Sequence, residues 1–291
     1  MSPPGFPLTA PPPKLPGDLP PAWRIGDPRH VARTDIADVY RVTSRWGPAA
    51  LKLFREGNAR NEARAPAWLA EMAGPGVVRC FAHEPGRVLL QWLDGPALGD
   101  ITRQGADRLA DMELADLAGR LLSRKTTAQT DFPDLAAWTE GLWAFKPADW
   151  WQPEDVAALH AARKIARRLL DTAPTPCLLH GDLHHDNVIR TGWGCVAIDP
   201  KGIRGDPAFE LANAFRNPKG FVGRLDPACQ TGRLALFAQA TGLERGRIAG
   251  WAMVKCLLSS AWAGEDTTLV RFNLDVYRTL RGAFADVAPL S

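Results

Sequence analysis

The densest group of reactive side chains in this 291-residue sequence is the string Leu179-His180-Gly181-Asp182-Leu183-His184-His185-Asp186-Asn187-Val188-Ile189, followed by Ala197-Ile198-Asp199-Pro200. Asp182 and Asn187 stand five positions apart in a loop, and Asp199 follows a hairpin turned at Thr191-Gly192-Trp193-Gly194. Phosphoryl transfer from ATP needs such a set. One carboxylate receives or orients the acceptor hydroxyl, while an Asn and an Asp hold Mg²⁺ against the phosphates. Two other readings compete. His180, His184 and His185 could ligate zinc if the string were helical, since His at i and i+4 shares one helix face. Gly181 and the strand-like flanks argue against a helix, and no acidic or Cys third ligand has suitable spacing. The string could also be a hydrogen-bonded polar turn between two core strands.

A second signal lies upstream. In Ala49-Ala50-Leu51-Lys52-Leu53-Phe54, strand alternation puts Ala50 and Lys52 on one face, opposite Leu51 and Leu53. A lysine flanked by apolar residues needs a partner or a phosphate, because burying an unpaired ammonium is costly. The bland alternative is a lysine at a sheet edge reaching to water. Asn187, five residues after Asp182, matches the spacing of the kinase catalytic loop. Asp199-Pro200 stands where protein kinases have Asp-Phe-Gly.

The elements that must position these groups divide the chain in two. Residues 1–22 carry nine prolines between Pro3 and Pro21, a density few helices or strands survive, so an extended, disordered tail is expected. Residues 23–95 read as strands with one helix between them. Asp38–Val42 and Ala49–Phe54 form a hairpin, Asn61–Ala73 a helix stopped by Gly74-Pro75-Gly76, and Val77–Ala82 with Val88–Trp92 a second hairpin. Beyond Leu93-Asp94-Gly95-Pro96, residues 96–291 are mainly helical, with helices expected over Ala106–Thr127, Glu154–Thr172, Arg233–Thr241, Arg247–Ala263 and Thr268–Val287. The stretch Cys177–Pro207 interrupts them with short apolar runs flanking polar residues, which is how sites are built.

Composition excludes several classes. A hydrophobic fraction of 46% with 23% charged residues fits a globule with a substantial core, and neither a disordered chain nor a coiled coil. The net charge of +3 comes from interspersed basic and acidic residues, so no nucleic-acid footprint is expected. No run approaches a membrane span, and the N-terminus lacks the regions of a secretory signal, so a cytoplasmic location is expected. The five cysteines are scattered and odd in number, which argues against a disulfide framework.

Asp182-Leu-His-His-Asp-Asn187, Ile198-Asp199-Pro200-Lys201-Gly202 and Gly205-Asp206-Pro207 together closely resemble the aminoglycoside phosphotransferase superfamily. LHGDLHHDNV…AIDPKGIRGDPAFELAN, with LSSAW at 258–262, resembles its streptomycin 6-kinase / hydroxyurea phosphotransferase branch. The resemblance spans about residues 23 to 285. It implies an α+β, protein-kinase-like two-lobed fold, with a β-rich N-lobe and a mainly helical C-lobe. It also implies an ATP-dependent small-molecule kinase. By position, Asp182 would be the catalytic carboxylate, Asn187 and Asp199 the magnesium ligands, and Lys52 the α/β-phosphate contact. Glu62 would pair with Lys52, although Pro66 lies so close that Glu71 is the alternative. Gln91 and Leu93 would offer backbone C=O and N–H to adenine. His180 would have a scaffolding role, and Asp206 would brace the loop. No Gly-rich loop precedes Lys52, so Thr34-Asp35-Ile36-Ala37-Asp38 would cover the phosphates.

The acceptor implied is a small hydroxyl compound of the aminoglycoside type, streptomycin at its 6-hydroxyl, with hydroxyurea or another small metabolite as the alternative. A nucleotide-binding pseudokinase and a zinc hydrolase are the readings from other classes. Guanidinium groups on streptomycin would call for carboxylates. The pool is Glu140, Asp149, Glu265, Asp266 and Asp275, with Glu265 and Asp266 favoured because they follow the LSSAW segment. Solvated acids between two helices are the bland alternative for both. The oligomeric state is left open.

Overall fold

The structure is a computed structural model that describes residues 15–34, 36–55, 59–126 and 131–287. Its first half builds a sheet from β1 (Gly26–Arg33), β2 (Ala37–Ser44) and β3 (Gly47–Phe54). A 3₁₀ turn at Arg60–Glu62 and helix α1 (Ala65–Glu71) follow, then β4 (Cys80–Glu84) and β5 (Arg87–Gln91). The five strands run in the order β1-β2-β3-β5-β4, antiparallel throughout. Register carries the alternation through the sheet. Leu51 lies opposite Tyr40 and Leu89, and these side chains belong to an outer cluster with Trp23, Val42 and Ala49. Ala50 and Lys52 lie opposite Leu90 and Val88, on the other face, which meets the main core.

Two expectations about this half are corrected. Residues 1–14 of the Pro-rich segment lie outside the described residues, and residues 15–22, although mostly exposed, touch the sheet and are not wholly a free tail. Leu15 and Leu19 cover the outer cluster, and Pro21–Trp23 makes a 3₁₀ turn that buries Trp23. Without them an apolar sheet face would meet water. The expected helix over Asn61–Ala73 is shorter. Pro66 falls in the first turn of α1, where its missing N–H is harmless, and Glu62 sits in the preceding 3₁₀ turn. Strand β1 was not expected from the sequence. Its side chains are mostly half-exposed, and its irregular pairing with β2 leaves no apolar alternation to read.

The second half contains α2 (Leu98–Arg103), α3 (Asp107–Leu122), α4 (Leu135–Trp138), α5 (Glu140–Ala144) and α6 (Pro153–Asp171). Two short strand pairings then carry the polar stretch. Strand β6 (Cys177–Leu179) leads into it, β7 (Val188–Thr191) and β8 (Gly194–Ala197) form a hairpin, and β9 (Ile203–Gly205) returns to pair with β6. A long 3₁₀ segment, Pro207–Arg216, leads to α7 (Pro227–Thr241), α8 (Arg245–Ala263) and α9 (Thr267–Ala283). Helix α8 is buried from Ile248 to Ser260, so it is apolar nearly all round, as a central helix must be. Trp68, Leu69 and Met72 of α1 share one core with Leu114 of α3 and Val196 of β8, which fixes α1 against the catalytic strands. No helix among the described residues is long and apolar enough to cross a membrane.

Candidate active site

The loop 180–187 is held at both ends by strands. Leu179 pairs with Ile203 at its start, and Val188 pairs with Ala197 at its end. Gly181 takes φ +79°, and a Cβ there would sit 3.0 Å from Ile203 Cγ1, so glycine suits both the turn and the contact. His180 is fully buried. Its Nε2–H donates to Ile198 O at 2.8 Å, while Nδ1 accepts from the Asp182 N–H at 3.3 Å. Burial holds this imidazole down, to about 4, so it stays neutral. Beneath the loop, Glu210 accepts the backbone N–H groups of His180 and Gly181 at 3.0 and 3.1 Å. Asp206 caps the 3₁₀ segment at Ala208 N and receives Arg247 and the Trp251 indole.

Three side chains define where the Asp182 carboxylate points. Asn213 Nδ2 donates to Oδ1 at 2.5 Å, and Lys201 Nζ lies 3.6 Å from Oδ2. Asn187 Nδ2 donates to the Asp182 backbone O at 3.0 Å and more weakly to Oδ2 at 3.4 Å. Asn213 is itself oriented by Arg216, whose Nη1 donates to Asn213 Oδ1 at 3.0 Å and whose other nitrogens bind Asn273. Burial pushes the Asp182 carboxyl up, but Lys201, His184 and Lys255 outweigh it and hold it below the usual range. It is therefore an anion at neutral pH.

A second cluster is built around Lys52, which is 4% exposed. Its Nζ lies 2.5 Å from Glu62 Oε2 and 3.0 Å from Asp199 Oδ1. Glu62 Oε1 in turn takes Lys201 at 2.9 Å. Glu62, and not Glu71 at the end of α1, is thus the partner of Lys52. Burial lowers the Lys52 ammonium, but Asp199 and Glu62 more than reverse this and raise it. Asp199 adopts φ +57°, an uncommon backbone for a non-glycine residue that fits a functional constraint.

A divalent cation fits this donor set. The amide nitrogen of Asn187 is spent on Asp182, which leaves its Oδ1 without a protein partner among the described residues. Asp199 engages Lys52 through Oδ1 alone. Both are hard oxygen donors of the kind magnesium prefers, and Ile198 N bonded to Asn187 O at 2.9 Å ties their segments together.

Gln91 ends β5 and Leu93 follows it, and no backbone or side-chain acceptor takes the Leu93 N–H among the described residues. A cavity of about 530 Å³ lies between the sheet and α1, lined by Lys52, Glu62, Leu69, Val88, Leu90 and Asp199. Of the turn expected to cover the phosphates, Asp35 lies outside the described residues. Asp38 is turned away, bound to His30 and Arg33 at 2.9 and 2.8 Å.

The three histidines do not converge. His180 serves Ile198, His185 binds Asp111 at 2.6 Å, and His184 Nδ1 accepts from Asp186 N at 3.2 Å. Each ring is committed to a different protein group, which removes the basis of the zinc reading. Neither favoured acceptor carboxylate touches the catalytic set. Asp266 caps α9, its Oδ1 accepting from Leu269 N at 2.9 Å, and Glu265 is exposed in the turn before it. Sequence reasoning assigned no role to Lys201, Asn213, Arg216 and Glu210. Their signal was present as charged or amide residues inside apolar runs, such as Asn213 in Phe209–Phe215, which a core does not tolerate unpartnered.

The model of a family described as aminoglycoside/hydroxyurea antibiotic resistance kinase matches residues 22–267. This chain belongs to that family. It is a phosphotransferase with an alcohol group as acceptor. A streptomycin 3''-kinase of Klebsiella pneumoniae is 32% identical over 246 residues, covering 82% of this chain and 89% of the relative. A hydroxyurea phosphotransferase of Kitasatospora aureofaciens is 34% identical over 227 residues, covering 75% of this chain and 63% of that protein. A streptomycin 6-kinase of Streptomyces griseus is 28% identical over 259 residues, with 84% and 79% covered. Among solved structures, a thermostable mutant of aminoglycoside phosphotransferase APH(4)-Ia in ternary complex with ADP and hygromycin B superposes with TM-score 0.63 at 13% identity, covering 90% of this chain and 93% of that one. The fold is therefore the protein-kinase-like one, with an antiparallel N-lobe sheet and a helical C-lobe.

Proposed function

We propose that this kinase transfers the γ-phosphoryl group of ATP to a hydroxyl of a streptomycin-class aminoglycoside, in a reaction that uses Mg²⁺. The carrying observation is the Asp182 carboxylate, kept anionic, held at Oδ1 by Asn213 and joined through Lys201 to the cluster of Glu62, Lys52 and Asp199. On this reading Asp182 accepts a hydrogen bond from the acceptor hydroxyl and takes its proton as the oxygen attacks the γ-phosphorus, while the bond from that phosphorus to the β–γ bridging oxygen breaks and ADP leaves. Asn213 and Asn187 keep the carboxylate aimed. Lys52 meets the α- and β-phosphate oxygens, with Glu62 holding it in place. Gln91 and Leu93 bind the adenine edge. Asn187 and Asp199 would hold magnesium, which when bound neutralises charge on the phosphate oxygens. Lys201, shared between Glu62 and Asp182, places a further cation where the phosphoryl group passes.

The 6-hydroxyl of streptomycin is the position proposed. Relatives named for the 3'' and 6 positions make product analysis the deciding step. Glu265, exposed just beyond α8, is the carboxylate proposed for a guanidinium of that acceptor. Asp266 is the weaker candidate because one of its oxygens already caps α9. Hydroxyurea is the second reading, supported by the named relative at 34% identity. A coupled assay of ADP release against streptomycin, other aminoglycosides and hydroxyurea tests the proposal. Acceptor-dependent, Mg²⁺-dependent ADP formation supports it. ATP binding without turnover on any acceptor would mark a pseudokinase. In Glu265→Gln, a rise in KM for streptomycin of ~10-fold, with KM for ATP unmoved, is the outcome expected of lost charge-assisted bonding. An unchanged KM would place the guanidinium elsewhere.

A further inference from the structure

Helix α8 is apolar along most of its surface, but one stripe is not. Lys255, Ser259 and Trp262 fall at i, i+4 and i+7 and share a face. Lys255 is 4% exposed and Ser259 7%. Among the described residues the Lys255 ammonium makes no hydrogen bond and no ion pair, and its companions are rings. Nζ lies 4.2 Å from the Trp262 ring centroid and 6.0 Å from that of Phe209. Trp262 is 45% exposed and packs edge-on against Trp138 at 5.7 Å, so the stripe runs from a buried floor to an open rim. The floor lies near the reaction centre, because Phe209, over which the Lys255 ammonium sits, belongs to the 3₁₀ segment whose Asn213 holds the Asp182 carboxylate.

A buried ammonium without a counter-ion is costly, and a methionine would fill the same volume without that cost. Burial pushes Lys255 down to about 7. Around it, Asp182 of the catalytic loop opposes that shift, while the Cys256 thiol of its own helix, itself pushed up to about 12, is uncharged. Arg216 of the 3₁₀ segment and Lys201 beyond β8 reinforce the shift. Rings satisfy part of the charge, but they leave its N–H donors unused.

We propose that Lys255 is a specificity-determining residue of the acceptor subsite: its ammonium donates to an uncharged oxygen, carbonyl or second hydroxyl, adjacent to the hydroxyl presented to Asp182, and excludes a guanidinium or ammonium from that position. The inference rests on Asp182 being the acceptor-facing carboxylate. A streptomycin-class acceptor then enters with an oxygen-bearing ring edge inward and its cations toward the rim, at Trp262 and Glu265. Hydroxyurea meets the same requirement through the carbonyl beside its N-hydroxyl.

The test has two arms. In the first, KM for whichever of streptomycin and hydroxyurea the wild type phosphorylates is compared in Lys255→Met and Lys255→Arg. Lys255→Met should raise it ~10-fold or more with KM for ATP within about twofold, and Lys255→Arg should restore part of the loss. Unchanged acceptor kinetics in Lys255→Met would overturn the proposal. If the wild type phosphorylates neither compound, the acceptor named under the proposed function fails, the same comparison is made on the acceptor that an ADP-release screen identifies, and the second arm tests separately whether Lys255 faces Asp182. NMR titration of ¹³Cε-labelled lysine should find Lys255 titrating near 7, and lower still in Asp182→Asn, which removes a stabilising charge. A Lys255 signal titrating near the ordinary ~10.4 of lysine and unmoved in Asp182→Asn would place it away from Asp182 and overturn the proposal.

Discussion

Asp182, Asn187, Asp199 and Lys52 could be picked out from the sequence because each is marked locally, by residue type and by distance along the chain. Their partners could not. Asn213 reaches Asp182 from 31 residues away, and Lys201 reaches Glu62 across 139, and only folding brings such pairs together. Asp182→Asn keeps the shape but loses the basic oxygen, and kcat should fall by ~10²–10⁴ with ATP affinity nearly unchanged. Turnover within a few-fold of wild type would remove Asp182 from its role. Asp199→Ala should abolish Mg²⁺-dependent nucleotide binding in calorimetry, while Lys52→Ala should mainly depress turnover. Wild-type affinity for MgATP in Asp199→Ala would mean that the metal is held elsewhere.

At the scale of elements, the catalytic loop is a product of the short pairings β6–β9 and β7–β8, and of His180 tying the first of these to the second. The hairpins and long helices were legible from alternation and helical period. Strand β1 was not, because an edge strand with polar side chains has no pattern to show. The 3₁₀ segment Pro207–Arg216 was equally silent, since its purpose is to carry Glu210, Asn213 and Arg216 beneath the loop. The neutral His180 gives this element a pH signature. Its folded pKa of about 4 lies below the ordinary ~6.5 of an unfolded histidine. The folded state therefore binds fewer protons between these values. The contribution is complete above pH ~6.5 and is lost as pH falls through about 4, on the order of 3 kcal/mol. The melting temperature should decline from pH 7 to 4.5, and less steeply in His180→Asn. Equal slopes in the two proteins would show that His180 does not carry the effect.

On the scale of the whole molecule, two cores divide the work. The larger one locks α1, the catalytic strands and the central α8 together, and the smaller one caps the outer face of the sheet. Trp23, 5% exposed, is the largest buried side chain of that cap. Trp23→Ala should cost ~3 kcal/mol in denaturant unfolding, within the range for large aromatic truncations in cores. A loss below ~0.5 kcal/mol would mean that the segment before β1 merely rests on the surface. Every part of this arrangement converges on one claim, that Asp182 activates an acceptor hydroxyl toward the γ-phosphate of ATP. Mass spectrometry of streptomycin and of hydroxyurea, each incubated with MgATP and either wild type or Asp182→Asn, tests it most directly. Wild type should give a singly phosphorylated acceptor and an equal amount of ADP, and the variant a yield at least ~10²-fold lower. ADP formed without phosphorylated acceptor, or equal yields from the two proteins, would contradict it.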